Sequence, residues 1–186
     1  MRKEVVDKSR RLMQKRTVQN GAPAWELTEL AVAKGYKLAR KYRVDANLVV
    51  TALYLAHTVF TIEFKAAKRK NHPELSARFT EPYLKRWGVT AKEREVILNA
   101  IRAHHSAIPT ETLEAEVMKN AECFKFVTLK GVLIYLHDLG KRNVPFKRAV
   151  GLVKAKVNEK YSYLTLKDCK IEARKNLRAI EDILSI

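Results

Sequence analysis

Histidine is scarce in this chain, and its five copies are the side chains best suited to chemistry near neutral pH: His57, His72, His104, His105 and His137. His57 lies in an uncharged run, residues 46–62 (ANLVVTALYLAHTVFTI), with Tyr54, Phe60 and Thr61 a turn away. An imidazole buried midway along such a helix must find a partner, because an unsatisfied polar group in a core costs about 1–3 kcal/mol. Two roles meet that demand. One is a neutral core histidine bonded to a backbone carbonyl or hydroxyl; the other is a metal ligand or proton shuttle. His104 and His105 close a helix, where the negative end of the dipole favours protonated imidazole, so capping is their plain role. Adjacent helical side chains diverge by about 100°, which keeps the two from sharing one ion easily. His72 precedes Pro73 in the basic stretch 65–72 (KAAKRKNH) and is expected in solvent.

The elements that must position these residues are helices. Over 24–42 the apolar residues Leu27, Ala31, Leu38, Ala39 and Tyr42 share one side, with Lys34, Lys37 and Lys41 along its edge. Asp45 stands where an N-cap belongs, ahead of an apolar helix over 46–64. The charged stretch 65–72 interrupts the pattern. Pro73 then opens a short helix, and Thr80 and Pro82 restart one that Gly88 stops. Thr90 and Glu93 have capping-box spacing, and their helix passes Ile97, Leu98 and Ile101 to reach the histidine pair. After a loop at 106–109, Thr110 is the expected cap of a helix that turns Val117, Ala121 and Phe124 inward. Leu113 leaves its capping box incomplete, while Glu111, Glu114 and Glu116 suit the positive helix end. Further helices follow over about 129–139, ending at Gly140, and over 145–160, opened by Pro145. Thr165 is the expected cap of a last amphipathic helix with Leu166, Ala173, Leu177, Ile180 and Leu184 on one face. No alternating strand pattern, repeat or low-complexity linker occurs. The reading is all-α: one compact multi-helix domain over 1–186, with eight or nine helices.

Composition narrows the partners. At 186 residues and 47% apolar, the chain can bury a core and is not disordered. The 6 glycines and 5 prolines exclude collagen-like or loop-dominated architectures. Cys123 and Cys169 make neither a disulfide framework nor a CxxC knuckle, and no apolar segment follows the basic start MRKEVVDKSRRLMQKR as a secretory signal requires. A cytoplasmic protein is expected. The run 46–62 falls short of the ~20 apolar residues of a membrane span and carries Asn47, Thr51, His57, Thr58 and Thr61, so it reads as a buried core helix. The formal net charge is +17, with basic clusters at residues 2–16, 34–43, 65–70 and 141–148. Such a field favours polyanions through counterion release, so nucleic acid or nucleotide phosphates are the expected partners. Lys65, Lys68, Arg69, Lys70 and Arg102 are the candidate phosphate contacts. No zinc-finger spacing or aromatic-basic ribonucleoprotein motif is present, so base-specific readout is not expected.

Several segments resemble, in order, those of the HD-domain metal-dependent phosphohydrolases. They are the stretch 27–57, His72-Pro-Glu-Leu-Ser-Ala77, Ala100-Ile-Arg-Ala-His-His105 and, most specifically, Thr112-Leu-Glu-Ala-Glu-Val-Met-Lys-Asn-Ala-Glu122. The resemblance covers an HD-like core of about 20–130, with 131–186 as a helical tail packing on it. It implies an all-α hydrolase of nucleotides or other phosphate esters that uses one or two divalent metals. The family pattern calls for an early His, a His-Asp pair, and a later Asp. Here the early position falls near Trp25–Thr28, with Leu27 as its occupant; the pair becomes Ala56-His57 or His57-Thr58; and Glu122 stands for the last Asp. His72 and His104 or His105 match accessory histidines. The metal candidates are therefore His57, Glu122, His72, His104 and His105, for Mn, Zn, Ni, Co or Mg, or for no metal at all. The Leu136-His-Asp-Leu-Gly-Lys141 run imitates the family dipeptide through His137 and Asp138, but it follows the Glu122 segment instead of preceding it and suits a solvated helix end. The expectation is an HD-like fold with an impaired metal site and a basic, nucleic-acid- or nucleotide-binding surface. The alternative is an active phosphohydrolase with a rearranged His/Glu site.

Overall fold

The computed structural model describes residues 1–61, 66–105 and 108–185, with residues 66–70 described by their backbone alone. The described residues form nine α-helices and no strand. In chain order they are α1 (Lys3–Asn20), α2 (Trp25–Tyr42), α3 (Ala46–Leu55), α4 (Ala66–Arg86), α5 (Ala91–Ala103), α6 (Leu113–Phe124), a 3₁₀ turn (Lys125–Val127), α7 (Leu129–Lys141), α8 (Phe146–Ser162) and α9 (Lys167–Leu184). The all-α expectation holds.

The centre is α3, because it is apolar all round: every residue from Leu48 to Leu55 is buried. It packs against α1, α2, α5 and α6, and Asp45 caps it by accepting the Asn47 and Leu48 amides at 2.8 and 3.3 Å. Gly35 of α2 faces this helix closely: a Cβ there would lie 2.5 Å from Leu53 Cδ1, so the Leu53 side chain would have to shift to admit it. The capping box at Thr90 and Glu93 is formed, and Gly88, at φ 69°, ends the preceding helix. Helices α7, α8 and α9 pack over the 3₁₀ turn and the α2–α6 side of the core.

Five element boundaries differ from expectation. The apolar run leaves the helix at Leu55, so His57 sits in a turn and not midway along a helix. The turn is held from α1: Arg16 Nε and Asn20 Nδ2 donate to the Thr58 carbonyl at 2.7 and 3.2 Å, while the Thr58 hydroxyl donates to Leu55 O at 3.0 Å. Residues 66–86 are one helix running through both Pro73 and Pro82, with neither a basic loop before Pro73 nor a restart at Thr80. The α6 cap is Thr112 instead of Thr110: Asn99 bonds both Pro109 O and the Glu111 amide, which keeps that segment out of the helix. Thr165 does not cap α9. Its hydroxyl donates to Glu116 Oε1 and accepts from Asn120 Nδ2, and Asn120 Oδ1 takes the Thr165 and Leu166 amides. Gly140 likewise lies inside α7, and the chain turns at Asn143, φ 55°.

Candidate functional site: a histidine cluster under a basic cavity

Four histidines meet where three helix ends converge. His57 follows α3, His72 lies on α4, and His104 and His105 follow α5. Ring centroids are 5.1 Å apart for His57–His72, 4.9 Å for His57–His104, 5.2 Å for His72–His104 and 4.7 Å for His72–His105. His72 is 3% exposed, so the solvated position expected for it is wrong: the unbroken α4 carries it into the interior. The protonated cap expected of His104 and His105 is also wrong. Burial holds both rings far below the usual imidazole range, and neighbouring histidines push the same way, so both are neutral.

The proton positions follow from the partners. His104 Nδ1 lies 2.5 Å from Ile101 O, which can only accept, so Nδ1 carries the proton and Nε2 is a bare lone pair. His57 Nε2 lies 2.7 Å from Glu122 Oε1. Burial works to raise the Glu122 pKa, but Lys125 and His57 outweigh it and hold the carboxyl well below its ordinary range, so Glu122 is ionised. His57 Nε2 therefore donates, and Nδ1 is bare. Burial lowers the His57 pKa, only partly opposed by Glu122, so the ring is neutral. Both bare nitrogens, His57 Nδ1 and His104 Nε2, are buried without a hydrogen-bond partner among the described residues. That is a costly arrangement for a protein to keep. One ring nitrogen from each of His57, His72 and His104 lies within 4.8 Å of the others. Nitrogens around a tetrahedral zinc sit about 3.4 Å apart, given bonds of about 2.0–2.1 Å. Side-chain adjustments on the order of an ångström close that difference, so a three-nitrogen donor set fits a transition ion. His105 Nε2 contacts His72 Nε2 at 3.2 Å and orients it from the other side.

The carboxylate side of the expected site is different. Glu122 and Lys125 are each 2% exposed, and Lys125 Nζ lies 2.5 Å from Glu122 Oε1. The oxygen that faces His57 is thus already neutralised by a lysine. Leu27, at the position of the family's first His, is buried and lines the same space, while Ala56 is fully buried. The ligand pattern that the resemblance implies does not fit these residues.

Above the cluster opens a cavity of about 590 Å³, lined by His57, His72, His105, Glu122 and Lys125, by the aromatic rings of Phe60, Phe126, Tyr135 and Tyr163, and by α7 and α8 through Asp138, Arg142, Lys156, Glu159 and Lys160. Asp138 is half-buried in this wall and paired with Arg142, so it is not at a solvated helix end; His137 is exposed on the outer face of α7. The local sequence hid Lys125 and Lys160. Its one signal is placement: Lys125 interrupts an apolar run three residues after Glu122, and Lys160 continues the buried Val153–Val157 stripe. Arg102 is on α5 and pairs with Glu74 at 2.7 Å, away from the cavity lining. Lys65 and the side chains of Lys68, Arg69 and Lys70 lie outside the described residues.

No family model and no curated protein matches the chain. One solved structure does. A Lactobacillus plantarum protein, a Northeast Structural Genomics target, superposes with a TM-score of 0.75 over 100% of this chain and 95% of its own, at 13% identity. At that identity the likeness establishes a shared fold alone. No helix among the described residues is long and apolar enough to cross a membrane.

Proposed function

We propose that this chain is an HD-domain-like phosphohydrolase relative in which the ancestral carboxylate site is closed by Lys125, and three histidines hold a borderline transition ion beneath a cavity that receives a phosphate ester or nucleotide. The observation that carries this reading is the pair of bare, buried ring nitrogens at His57 and His104, without partners among the described residues, with His72 beside them. Three neutral imidazoles favour Zn²⁺, Co²⁺ or Ni²⁺ over Mg²⁺. A divalent ion supplies Lewis acidity to a phosphoryl oxygen. The chain's own residues do the rest. Glu122 and the Ile101 carbonyl fix the tautomers of His57 and His104, the support that outer hydrogen bonds give metal-ligating histidines. The aromatic walls exclude water from one side of the bound molecule, and the basic residues of α8 draw anions inward. The ordered family segments support a phosphate-ester ligand.

The Lys125–Glu122 pair favours a second reading, in which the cavity binds a phosphate ligand and does not turn it over. Metal analysis of purified protein, followed by Zn²⁺, Co²⁺, Ni²⁺ and Mn²⁺ titration and a panel of phosphomonoesters and nucleotides, separates the two. The first reading expects one ion per chain, with metal and turnover both lost in His104→Ala and both retained in His137→Ala. Ligand binding without turnover supports the second. Protein that takes up no metal under any of these conditions refutes the first.

A further inference from the structure

The charged groups in the cavity wall do not cancel. Three carboxylates line it, and each has a close cationic partner: Glu122 with Lys125 at 2.5 Å, Asp138 with Arg142, and Glu159 with Lys156 at 2.6 Å. The fourth cation, Lys160, is left over. Its side chain is 4% exposed, and its nearest carboxylate oxygen, Glu159 Oε1, lies 3.6 Å away, a loose ion pair beyond hydrogen-bond distance, on a glutamate whose other oxygen Lys156 holds. No acceptor lies within hydrogen-bond distance of Nζ among the described residues. It also lies over two ring faces, Tyr163 at 5.7 Å and Phe126 at 6.0 Å, which attract a cation but accept no strong hydrogen bond. An ammonium with three donors is thus placed in a buried wall facing open space, a position that costs stability unless something completes it.

We infer that Lys160 marks an anion subsite in the cavity, which takes the phosphate monoester group of a small molecule whose apolar part lies against Phe126 and Tyr163. The subsite rests on the cavity being the ligand site, as proposed above, but not on the histidine metal. A phosphate oxygen completes the shell of Nζ with charge-assisted hydrogen bonds and cancels the residual positive charge of the wall. The neighbouring Lys156, whose Nζ is committed to Glu159, adds attraction without competing for the same oxygen. Among the surface pairs, Lys8–Glu4, Lys41–Asp168 and Lys85–Glu81 hold their own acids, which sets Lys160 apart from them.

The test uses metal-stripped full-length protein, so metal loss and anion loss are read separately. Inorganic phosphate and a nucleoside monophosphate are titrated calorimetrically into the wild type, Lys160→Met and the exposed-residue control Lys147→Met at fixed ionic strength. Binding is expected to weaken about 10- to 100-fold in Lys160→Met and to stay within twofold in Lys147→Met. Because methionine removes a buried charge without leaving a void, ligand-free Lys160→Met is expected to melt at or above the wild type, and phosphate is expected to raise the wild-type melting temperature but not the variant's. Equal affinity in wild type and Lys160→Met overturns the inference, as does a Lys147→Met loss equal to that of Lys160→Met. A nucleoside monophosphate that binds no more tightly than inorganic phosphate overturns the aromatic part of the subsite. Phosphate binding in protein that takes up no metal would leave the subsite standing while the histidine-metal reading falls.

Discussion

Removing Lys125 is the perturbation that most directly tests the electrostatic account of the site. Lys125 and Glu122 are both 2% exposed and form an ion pair at the cavity wall, with little solvent to replace either partner. Breaking a buried pair by deleting one member costs about 3–5 kcal/mol, because the other charge stays behind uncompensated. Lys125→Met keeps most of the packing volume, so the cost falls on the stranded carboxylate. At about 2–4 °C per kcal/mol for a chain of this size, the melting temperature is expected to drop about 6–20 °C at pH 8. His57 modifies the result. Lys125 is one of the groups that lowers the His57 pKa, so without it the ring more readily takes a proton and becomes the counter-charge for Glu122. The loss is therefore expected to be smaller at pH 6 than at pH 8. Adding Glu122→Gln to the variant removes the stranded charge and is expected to recover at least half of the loss, since the amide oxygen still accepts from His57. Urea unfolding of the wild type, the single and the double variant at both pH values gives all four comparisons. A single variant within 1 kcal/mol of wild type at pH 8, or a double variant less stable than the single, refutes the reasoning.

Two further outcomes follow from the same geometry. In metal-free protein, His57, His104 and His105 have folded pKa values below the roughly 6.5 of an unfolded chain, so the unfolded state binds protons first as pH falls. Their stabilising contribution is whole above that value and is lost progressively below it, so urea midpoints are expected to fall between pH 7.5 and 5.5, and midpoints that stay flat would contradict it. Gly131→Ala places a Cβ 1.8 Å from the Lys125 carbonyl oxygen, a backbone atom that cannot step aside; a loss of about 3 kcal/mol together with weakened phosphate binding is expected, measured by thermal unfolding and calorimetry.

Local features were readable from the sequence where one residue settles them. The Asp45 cap and the Thr90–Glu93 box depend on contacts two or three residues away, so spacing sufficed. The juxtaposition of His57 with Glu122 came from the order of family-like segments and not from any local pattern. The prolines mislead because Pro73 suits a helix start, which puts His72 in solvent; α4 tolerates both prolines inside its span, and burial of His72 is decided by packing against distant rings. Thr165 looked like a cap because the competing partner, Asn120, lies 45 residues earlier. Lys125 and Lys160 carry only a faint local signal, a lysine within an apolar run or stripe, because the walls that bury them come from distant segments.

The fixed tautomers have a chemical consequence. Histidine is the usual donor of protons to a departing alcohol near neutral pH, yet His57 and His104 each have their hydrogen tied to an outer acceptor and are too weakly basic to gain a second. Those two rings can give lone pairs and cannot give protons. On the proposed phosphohydrolase reading, a departing alcohol takes its proton from water, from another ring of the cluster or from the Lys160 ammonium, whose hold on its own proton is loosened by burial.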